Sequence, residues 1–188
     1  MREEKNIHGY KVILDLGMVS IRNRKDHVVA EFSLPEGLTV KDIHKTSVVI
    51  ENNENSLLGV YDFYGHEIVP VKYNYIVFYD IGIIVREDSK FGLYSYSGTI
   101  LISAKHTVLA PCCNGTNKVV VSDEVKIGNK IKSLSGVYEV ESESSELIVP
   151  VEFTKVIVSD TGLIKVQKEE DGPFEPYVHA WISKTNFY

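Results

Sequence analysis

The sequence lacks most of the features that mark a membrane protein, a disulfide-stabilised scaffold or a nucleic-acid binder. Its only two cysteines, Cys112 and Cys113, are adjacent and therefore poorly placed for a mutual disulfide. No apolar run approaches the roughly 20 residues of a spanning helix, and no apolar signal segment follows Met1. Acidic residues (26) outnumber lysine and arginine (20), and no basic stripe is present. We therefore expect a cytoplasmic protein that binds neither nucleic acid nor membrane.

Helical patterning is also scarce, and one turn at residues 38–43 is the only helical candidate. β-branched and aromatic residues dominate instead, as strands prefer. From Val69 through Tyr73 and Tyr75 to Val77 they alternate, which predicts a single strand face. Glycines stand between such runs, and Asn114-Gly115 is a strong hairpin signal. The pattern predicts an all-β chain with little or no helix.

A short motif recurs along the chain. Gly59-Val60-Tyr61 matches Gly92-Leu93-Tyr94 at an offset of 33, and Gly136-Val137-Tyr138 begins a third copy. Each motif is followed by an aliphatic pair and a second half, which reads Pro70–Tyr73 in the first copy and Pro150–Phe153 in the third. The two prolines are expected at strand starts or bulges, where a missing N–H costs little.

The repeat defines the expected organisation of the chain. Residues 1–55 form a degenerate N-terminal repeat or cap, and residues 56–188 form the repeat region, with a partial copy at 180–188, in one continuous domain. A single hairpin cannot bury its own apolar face, so neighbouring copies must pack. We expect tandem β-hairpin repeats packed as an open solenoid-like or curled antiparallel array, with a propeller-like ring as the alternative.

The repeat resembles that of the bacterial WG-repeat (KWG) family, whose motif is Lys-Trp-Gly, two apolar residues, Asp, a turn ending in Gly, and a proline-containing second half. Lys90–Tyr94 stands at the Lys-Trp-Gly position, Asp62 and Gly65 fit the turn, and Ile68–Tyr73 fits the second half. The resemblance covers about residues 56–168. It implies β-rich units and brings no catalytic residues. The use of asparagine, lysine and isoleucine fits an AT-rich bacterium or its phage.

The chain departs from that family pattern in two places. No copy has the tryptophan before glycine, because Leu58, Phe91 and Ser135 occupy that position. The second copy also has Ser103 where the other two have proline.

Signals for catalysis and metal binding are weak. The serine-rich segment 92–98 does not match the Gly-x-Ser-x-Gly nucleophile elbow and precedes no helix. The adjacent cysteines would point to opposite faces of a strand, unlike the Cys-x2–4-Cys spacing of zinc sites. We expect no enzyme, no metal and no cofactor.

Residues specific to one copy are better candidates for binding than residues that define the repeat. Tyr61 and Tyr73 recur as Tyr94, Tyr138 and Phe153, which predicts core positions. By contrast, Tyr64, Tyr75 and Tyr79 have no aromatic counterpart in the third copy, and Lys126, Lys130 and Lys132 lie in an insertion before it. Residues 124–133 are therefore predicted to form a recognition loop.

The function expected from these features is a non-enzymatic protein–protein interaction module that presents a β-repeat surface. The alternative is a protein that binds or sequesters a small ligand or nucleotide in a pocket lined by the unmatched tyrosines. Exposed β edges would also allow two copies to pair as a homodimer.

Overall fold

The computed structural model describes residues 2–112, 115–170 and 172–177. Over these residues the regular structure is entirely β, and no helix there could span a membrane. Cys113, Asn114 and the predicted partial copy at 180–188 lie outside the described residues.

The strands form antiparallel sheets in which chain neighbours pair. Sheet 1 contains β1 (Arg2–Ile7), β2 (Tyr10–Asp15), β3 (Met18–Arg22) and β4 (Val28–Ser33). Sheet 2 contains β5 (Leu38–His44), β6 (Ser47–Asn52), β7 (Leu58–Asp62) and β8 (Glu67–Tyr73). Sheet 3 contains β9 (Tyr75–Tyr79), β10 (Gly82–Glu87), β11 (Lys90–Tyr94) and β12 (Ile100–His106).

Two more sheets follow. Sheet 4 contains β13 (Val108–Pro111), β14 (Lys118–Ile127), β15 (Lys130–Val140) and β16 (Ser145–Phe153). Sheet 5 contains β17 (Lys155–Val158), β18 (Ile164–Gln167) and β19 (Glu175–Pro176). The prediction of an all-β chain of tandem hairpins is confirmed.

The chain divides into two compact units, Met1–Ala104 and Lys105–Tyr188. In the first unit, one apolar core joins sheets 1 and 2 around Ile21 and Ile50, and a second joins sheets 2 and 3 around Val69 and Ile83. In the second unit, Val149 and Val166 belong to a core shared by sheets 4 and 5. Each sheet thus buries a face that no single hairpin could cover alone.

Each copy of the sequence repeat begins at the third strand of a four-stranded sheet, not at its first strand. The Gly-aliphatic-Tyr motif lies on the third strand of a sheet (β7, β11 and β15), and the second half forms the fourth strand (β8, β12 and β16). Gly82-Ile83-Ile84, which follows the second half of the first copy, begins the second strand of the following sheet. The predicted boundary near residue 55 consequently falls in the turn between β6 and β7, inside sheet 2.

The repeat glycine is required by a bulge in the neighbouring edge strand. Pairing jumps from Leu58↔Tyr73 to Val60↔Val69, so Gly59 alone faces residues 70–72. A Cβ at Gly59 would lie 2.7 Å from the Val69 carbonyl oxygen and 2.9 Å from the Val71 Cα. The same register shift recurs opposite Gly136, where Pro150 occupies the bulge. Of the two positions expected for these prolines, the bulge is confirmed and the strand start is not, because each proline lies inside its strand. The edge position leaves their missing N–H without cost.

The predicted helical turn at residues 38–43 is wrong, since this segment lies in β5 and pairs with β6. Val40 and Ile43 are both buried although they are three residues apart. A bulge between Val40 and Asp42 brings both side chains to the buried face. The resulting spacing of three residues between apolar side chains is also typical of a helix, which explains the wrong prediction.

The predicted single strand face from Val69 to Val77 is also wrong. β8 ends at Tyr73, and β9 begins at Tyr75 in the next sheet. Tyr73 is buried and Tyr75 is exposed, because the chain passes from one sheet to another at Asn74.

Candidate interaction surfaces

The segment predicted to be a recognition loop, residues 124–133, is instead a β-hairpin. β14 and β15 pair continuously from Lys118↔Glu139 to Ile127↔Lys130, and Gly128 turns the chain with φ +61°. The loop prediction failed because it took the lysine-containing insertion before the third copy for a loop. Gly128-Asn129 between alternating β-branched residues is itself a hairpin signal that the sequence contained.

The end of this hairpin extends beyond the strands that flank it in sheet 4. β13 pairs with β14 only as far as Ser122, and the pairing of β16 with β15 begins at Ser135. From Asp123 to Leu134 the two strands therefore pair only with each other within the described ladders. We call residues 123–134 the extended hairpin. Its two outer edges offer backbone N–H and C=O groups that a further strand could use.

The hairpin divides its candidate lysines between two faces. Directly paired residues share a face, so Lys132 lies beside Val125, and Lys130 beside Ile127. Lys126 lies on the opposite face beside Ile131. Ile131 is 70% exposed and Ile127 is 51% exposed, which is unusual for large β-branched side chains. The structure thus brings Lys130 and Lys132 together but separates them from Lys126.

Polar contacts fix the base of the extended hairpin. The His106 Nδ1 lies 2.7 Å from the Asp123 Oδ2, and the Thr107 backbone N–H donates to the Asp123 Oδ1 at 3.1 Å. The Ser122 and Ser135 hydroxyl oxygens are 2.8 Å apart across the two strands. These contacts hold both strands where they leave the sheet.

His106 is a buried residue that the sequence reasoning left without a role. It occupies the repeat position of Tyr73 and Phe153, and its ring packs edge-on against Tyr138 at 5.8 Å between centroids. Its Nε2 has no hydrogen-bond partner among the described residues. The alignment with Tyr73 could have predicted its burial but not its link to Asp123.

The three candidate tyrosines lie in the first unit at three separate positions of sheets 2 and 3. Tyr64 is 82% exposed in the β7–β8 turn. Tyr75 and Tyr79 lie at the two ends of β9 and are also exposed. The Arg86 guanidinium carbon lies 5.3 Å from the centroid of the Tyr75 ring, and the Tyr79 carbonyl accepts a hydrogen bond from the Tyr96 hydroxyl at 2.7 Å.

The repeat-defining aromatics are buried, as predicted. Tyr61, Tyr94 and Tyr138 lie in equivalent positions on the third strands, and Tyr73 and Phe153 end the fourth strands of their sheets. The Tyr73 and Tyr94 hydroxyl oxygens are 2.8 Å apart in the core between sheets 2 and 3. Burial and the hydrogen bond to Tyr94 raise the pKa of Tyr73. The two phenols thus form a hydrogen-bonded pair within this core.

An aromatic row lies beside the first strands of sheets 2 and 3. His44 at the end of β5 stacks on Phe78 of β9 with 4.3 Å between centroids and 9° between planes. Tyr96 stacks on Phe78 in turn at 6.4 Å, and burial followed by the charge of Asp80 raises the pKa of Tyr96. A groove of about 500 Å³ is lined by His44, Phe78 and neighbours rather than by the candidate tyrosines; the neighbours are Lys41, Asp42, Val49, Leu58, Ile76 and Val77.

Sheets 1, 2 and 3 share one turn between their third and fourth strands. The first turn residue is Asn23, Asp62 or Ser95, and its side-chain oxygen accepts the N–H groups two and four residues later. Its own N–H donates to the carbonyl four residues later, at 2.8–2.9 Å. Residues Asp26, Gly65 and Gly98 then adopt positive φ in the three turns. The turn fixes the register of the degenerate first copy, which the sequence alone left open.

The charge on Asp62 distinguishes the second of these turns. Burial raises the pKa of its carboxyl, but hydrogen bonds from the His66 and Tyr64 N–H groups and from the His66 ring lower it by more. The pKa of Asp62 consequently lies below its ordinary value. The His66 Nδ1 is 2.9 Å from the Asp62 Oδ2.

Comparison with known proteins assigns no family. No family model matches the chain, and no curated protein matches it. The chain is similar to Kluyveromyces lactis Hsv2 with 10% identity and a TM-score of 0.36, over 93% of this chain and 63% of Hsv2. It is also similar to that protein with loop 6CD replaced by a Gly-Ser linker, with 12% identity and a TM-score of 0.34, over 91% and 63% of the two chains.

The chain thus spans 63% of the length of these solved structures. TM-scores of this size do not support an argument about function, which must come from the geometry of the chain itself. The resemblance to the WG-repeat family stays a prediction.

Proposed function

We propose that the chain is a non-enzymatic protein-interaction module, and that the extended hairpin, residues 123–134, docks an extended acidic segment of a partner protein. The observation that carries this proposal is a two-stranded projection whose outer edges have no described neighbouring strand. Strand addition to an open edge is a recurrent mode of peptide recognition, in which the backbone supplies affinity and alternate side chains supply specificity.

Exposed apolar side chains indicate that the hairpin binds a partner and is not merely a solvent-exposed extension. Val125, Ile127 and Ile131 are all exposed within seven positions of one another. Val125 and Ile127 lie on one face of the hairpin and Ile131 on the other, so each face presents exposed apolar area beside an open edge, which invites pairing. A partner strand added to one edge would bury apolar area of the hairpin with its own side chains.

Charge selects the chemistry of the partner. The charged residues between Val125 and Lys132 are Lys126, Lys130 and Lys132, all positive, in a chain whose formal charge is −6. None of the three forms an ion pair with a described residue. An acidic segment would be attracted to this end of the hairpin, whereas a second copy would place lysines against lysines. The hairpin therefore favours an acidic partner over a homodimer.

A pull-down with matched variants tests the proposal. The purified chain, the double variant Ile127→Ser/Ile131→Ser and the control Leu16→Ser/Leu163→Ser serve as bait in host lysate. Leu16 and Leu163 are 89% and 68% exposed in turns outside the hairpin, so the control removes comparable exposed apolar area. Cross-linking mass spectrometry then locates the bound segment of any captured protein.

The proposal predicts a protein that the wild type and the control retain and the hairpin variant loses, cross-linked through an acidic segment to residues 123–134. Equal retention by all three baits contradicts it. Capture of only a second copy of this chain also contradicts it and supports the homodimer.

The groove beside His44 and Phe78 favours small-ligand binding as a second candidate function. Its volume of about 500 Å³ lies within the usual range for small-molecule sites, and its lining is mostly apolar with a few polar groups. Stacked rings there would hold a flat ligand. Native mass spectrometry of the purified chain should show a bound small molecule that the variant Phe78→Ala loses, and a wild type without one contradicts this candidate.

A further inference from the structure

The turns shared by sheets 1, 2 and 3 have the same hydrogen bonds but carry different side chains. After its first residue, the sheet 2 turn carries Phe63, Tyr64, Gly65 and His66, and the sheet 3 turn carries Tyr96, Ser97, Gly98 and Thr99. The sheet 1 turn instead carries Arg24, Lys25, Asp26 and His27. Since the backbone bonding is common to all three, the turn itself does not require these cationic residues.

The sheet 1 turn lies beside the β1–β2 turn, and together they line a cleft of about 540 Å³. The lining residues are His8, Gly9, Tyr10, Asn23, Arg24, Lys25 and His27, and none is a carboxylate. We call this space the turn cleft. It shares no residue with the extended hairpin or with the lining of the groove beside His44 and Phe78.

The turn cleft is built to accept the Arg24 guanidinium. Gly9 has φ +85°, and a Cβ there would lie 2.7 Å from the Arg24 Nε and 3.3 Å from its Cζ. The guanidinium therefore lies directly against the Gly9 backbone, whose positive φ favours glycine. Asn23 fixes the turn that carries Arg24, because its Oδ1 accepts the N–H groups of Lys25 at 2.9 Å and His27 at 3.1 Å.

The positive charges of the turn cleft are not neutralised within the described structure. Arg24, Lys25 and His27 form no ion pair with any described residue. Two acidic residues beside the cleft, one in the same turn and one in contact with His8, already have partners. Asp26 lies 3.4 Å from the Arg22 Nη1, and Asp42 lies 2.9 Å from the His8 Nε2 and accepts the Ile43 N–H.

We propose that the turn cleft binds a small, multiply charged anion through Arg24 and Lys25. Arginine offers planar paired donors to a phosphate or carboxylate, and lysine adds a point charge. The His27 ring lines the same cleft and offers a further donor when protonated. The volume suits a small organic anion, with Tyr10 as a wall for its uncharged part.

Binding of two probes tests the proposal and distinguishes the source of the negative charge. Pyrophosphate and citrate are titrated separately into the full chain by calorimetry and by amide NMR. The variant Arg24→Gln/Lys25→Gln is compared with Lys105→Gln/Lys165→Gln, which removes the same charge at exposed positions outside the cleft. Thermal unfolding of both variants verifies that each is folded.

We expect saturable binding of at least one probe, at least tenfold weaker in the cleft variant and within about twofold of wild type in the control. Amide shifts should centre on residues 8–10 and 23–27. Tighter binding of pyrophosphate assigns a phosphate ligand, and tighter binding of citrate assigns a carboxylate. The absence of saturable binding of both probes, equal weakening in the two variants, or shifts centred elsewhere would overturn the proposal. All of these readouts are independent of partner binding by the extended hairpin.

Discussion

Replacing Gly59 by alanine should destabilise the first unit by about 2–3 kcal/mol, near the upper end of the cost of overpacking. The added methyl would meet the Val69 carbonyl oxygen and the Val71 Cγ2, both at 2.7 Å, and the Val71 Cα at 2.9 Å. Two of these three atoms belong to the backbone, so a rotamer change cannot relieve the contact. β8 must shift, and it carries Val69 and Tyr73 into the core between sheets 2 and 3.

Urea unfolding followed by far-UV circular dichroism measures this cost. A loss of 2 kcal/mol lowers the ratio of folded to unfolded chains roughly 30-fold and the Tm by roughly 4–8 °C. Gly92→Ala should behave alike, because a Cβ there meets the Ile102 carbonyl oxygen and the Ala104 nitrogen, both at 2.8 Å. Gly172→Ala is the control, since its nearest contact is 3.4 Å from the Glu169 Cβ. A Gly59→Ala variant within ~0.5 kcal/mol of wild type would refute the role given to the bulge.

Two further predictions concern the shared turn and the buried phenols. Asp62→Ala should cost about 1–2 kcal/mol at pH 7; because the folded-state pKa of Asp62 is lowered, this stabilisation is present above its unfolded pKa and is lost as the pH falls below about 4. In urea unfolding, the difference in free energy of unfolding between Asp62→Ala and wild type should therefore become smaller in acid. The corresponding difference for Ser95→Ala, at the equivalent neutral position, should stay the same. If both differences change with pH in the same way, the charge on Asp62 does not stabilise the turn. Tyr73→Phe should lower the free energy of unfolding by about 1–2 kcal/mol, because it leaves the Tyr94 hydroxyl buried without that partner. The double variant Tyr73→Phe/Tyr94→Phe should be no less stable than the single variant. If the losses of the two single variants add up in the double variant, the two hydroxyl groups are not paired.

The sequence predicted the strands well where repetition supplied a second example. Gly59, Gly92 and Gly136 marked equivalent strands, and their tyrosines were correctly assigned to the core. The prolines were expected at strand starts or bulges, and the bulge is the position that both take. These features recur because each copy must solve the same packing problem, so comparison between copies reveals them.

The failures arose where local pattern and tertiary pairing disagree. The bulge in β5 placed Val40 and Ile43 on one face at helical spacing, and no local signal distinguishes that from a helical turn. The sequence did not show where in a sheet each repeat begins. Tyr73 and Tyr75 are two positions apart, and only the strands with which they pair place them in different sheets. Stacking of His44 on Phe78 joins residues 34 positions apart, which no motif spacing indicated.

The candidate lysines show the same limit. Their insertion before the third copy correctly singled out residues 124–133 as an addition to the repeat. The alternation on either side of Gly128 is typical of strands, but the insertion was predicted to be a loop. Which lysines share a face depends on the cross-strand register, and that register places Lys130 and Lys132 together but Lys126 opposite them.

Fluorescence anisotropy with two labelled synthetic peptides tests the docking role of the extended hairpin most directly. One peptide alternates glutamate with valine, and the other alternates lysine with valine at equal length. We expect saturable binding of the acidic peptide, at least tenfold weaker binding by Ile127→Ser/Ile131→Ser, and no saturable binding of the basic peptide. Equal affinity for both peptides, or an acidic peptide that binds the hairpin variant as tightly as the wild type, would contradict it.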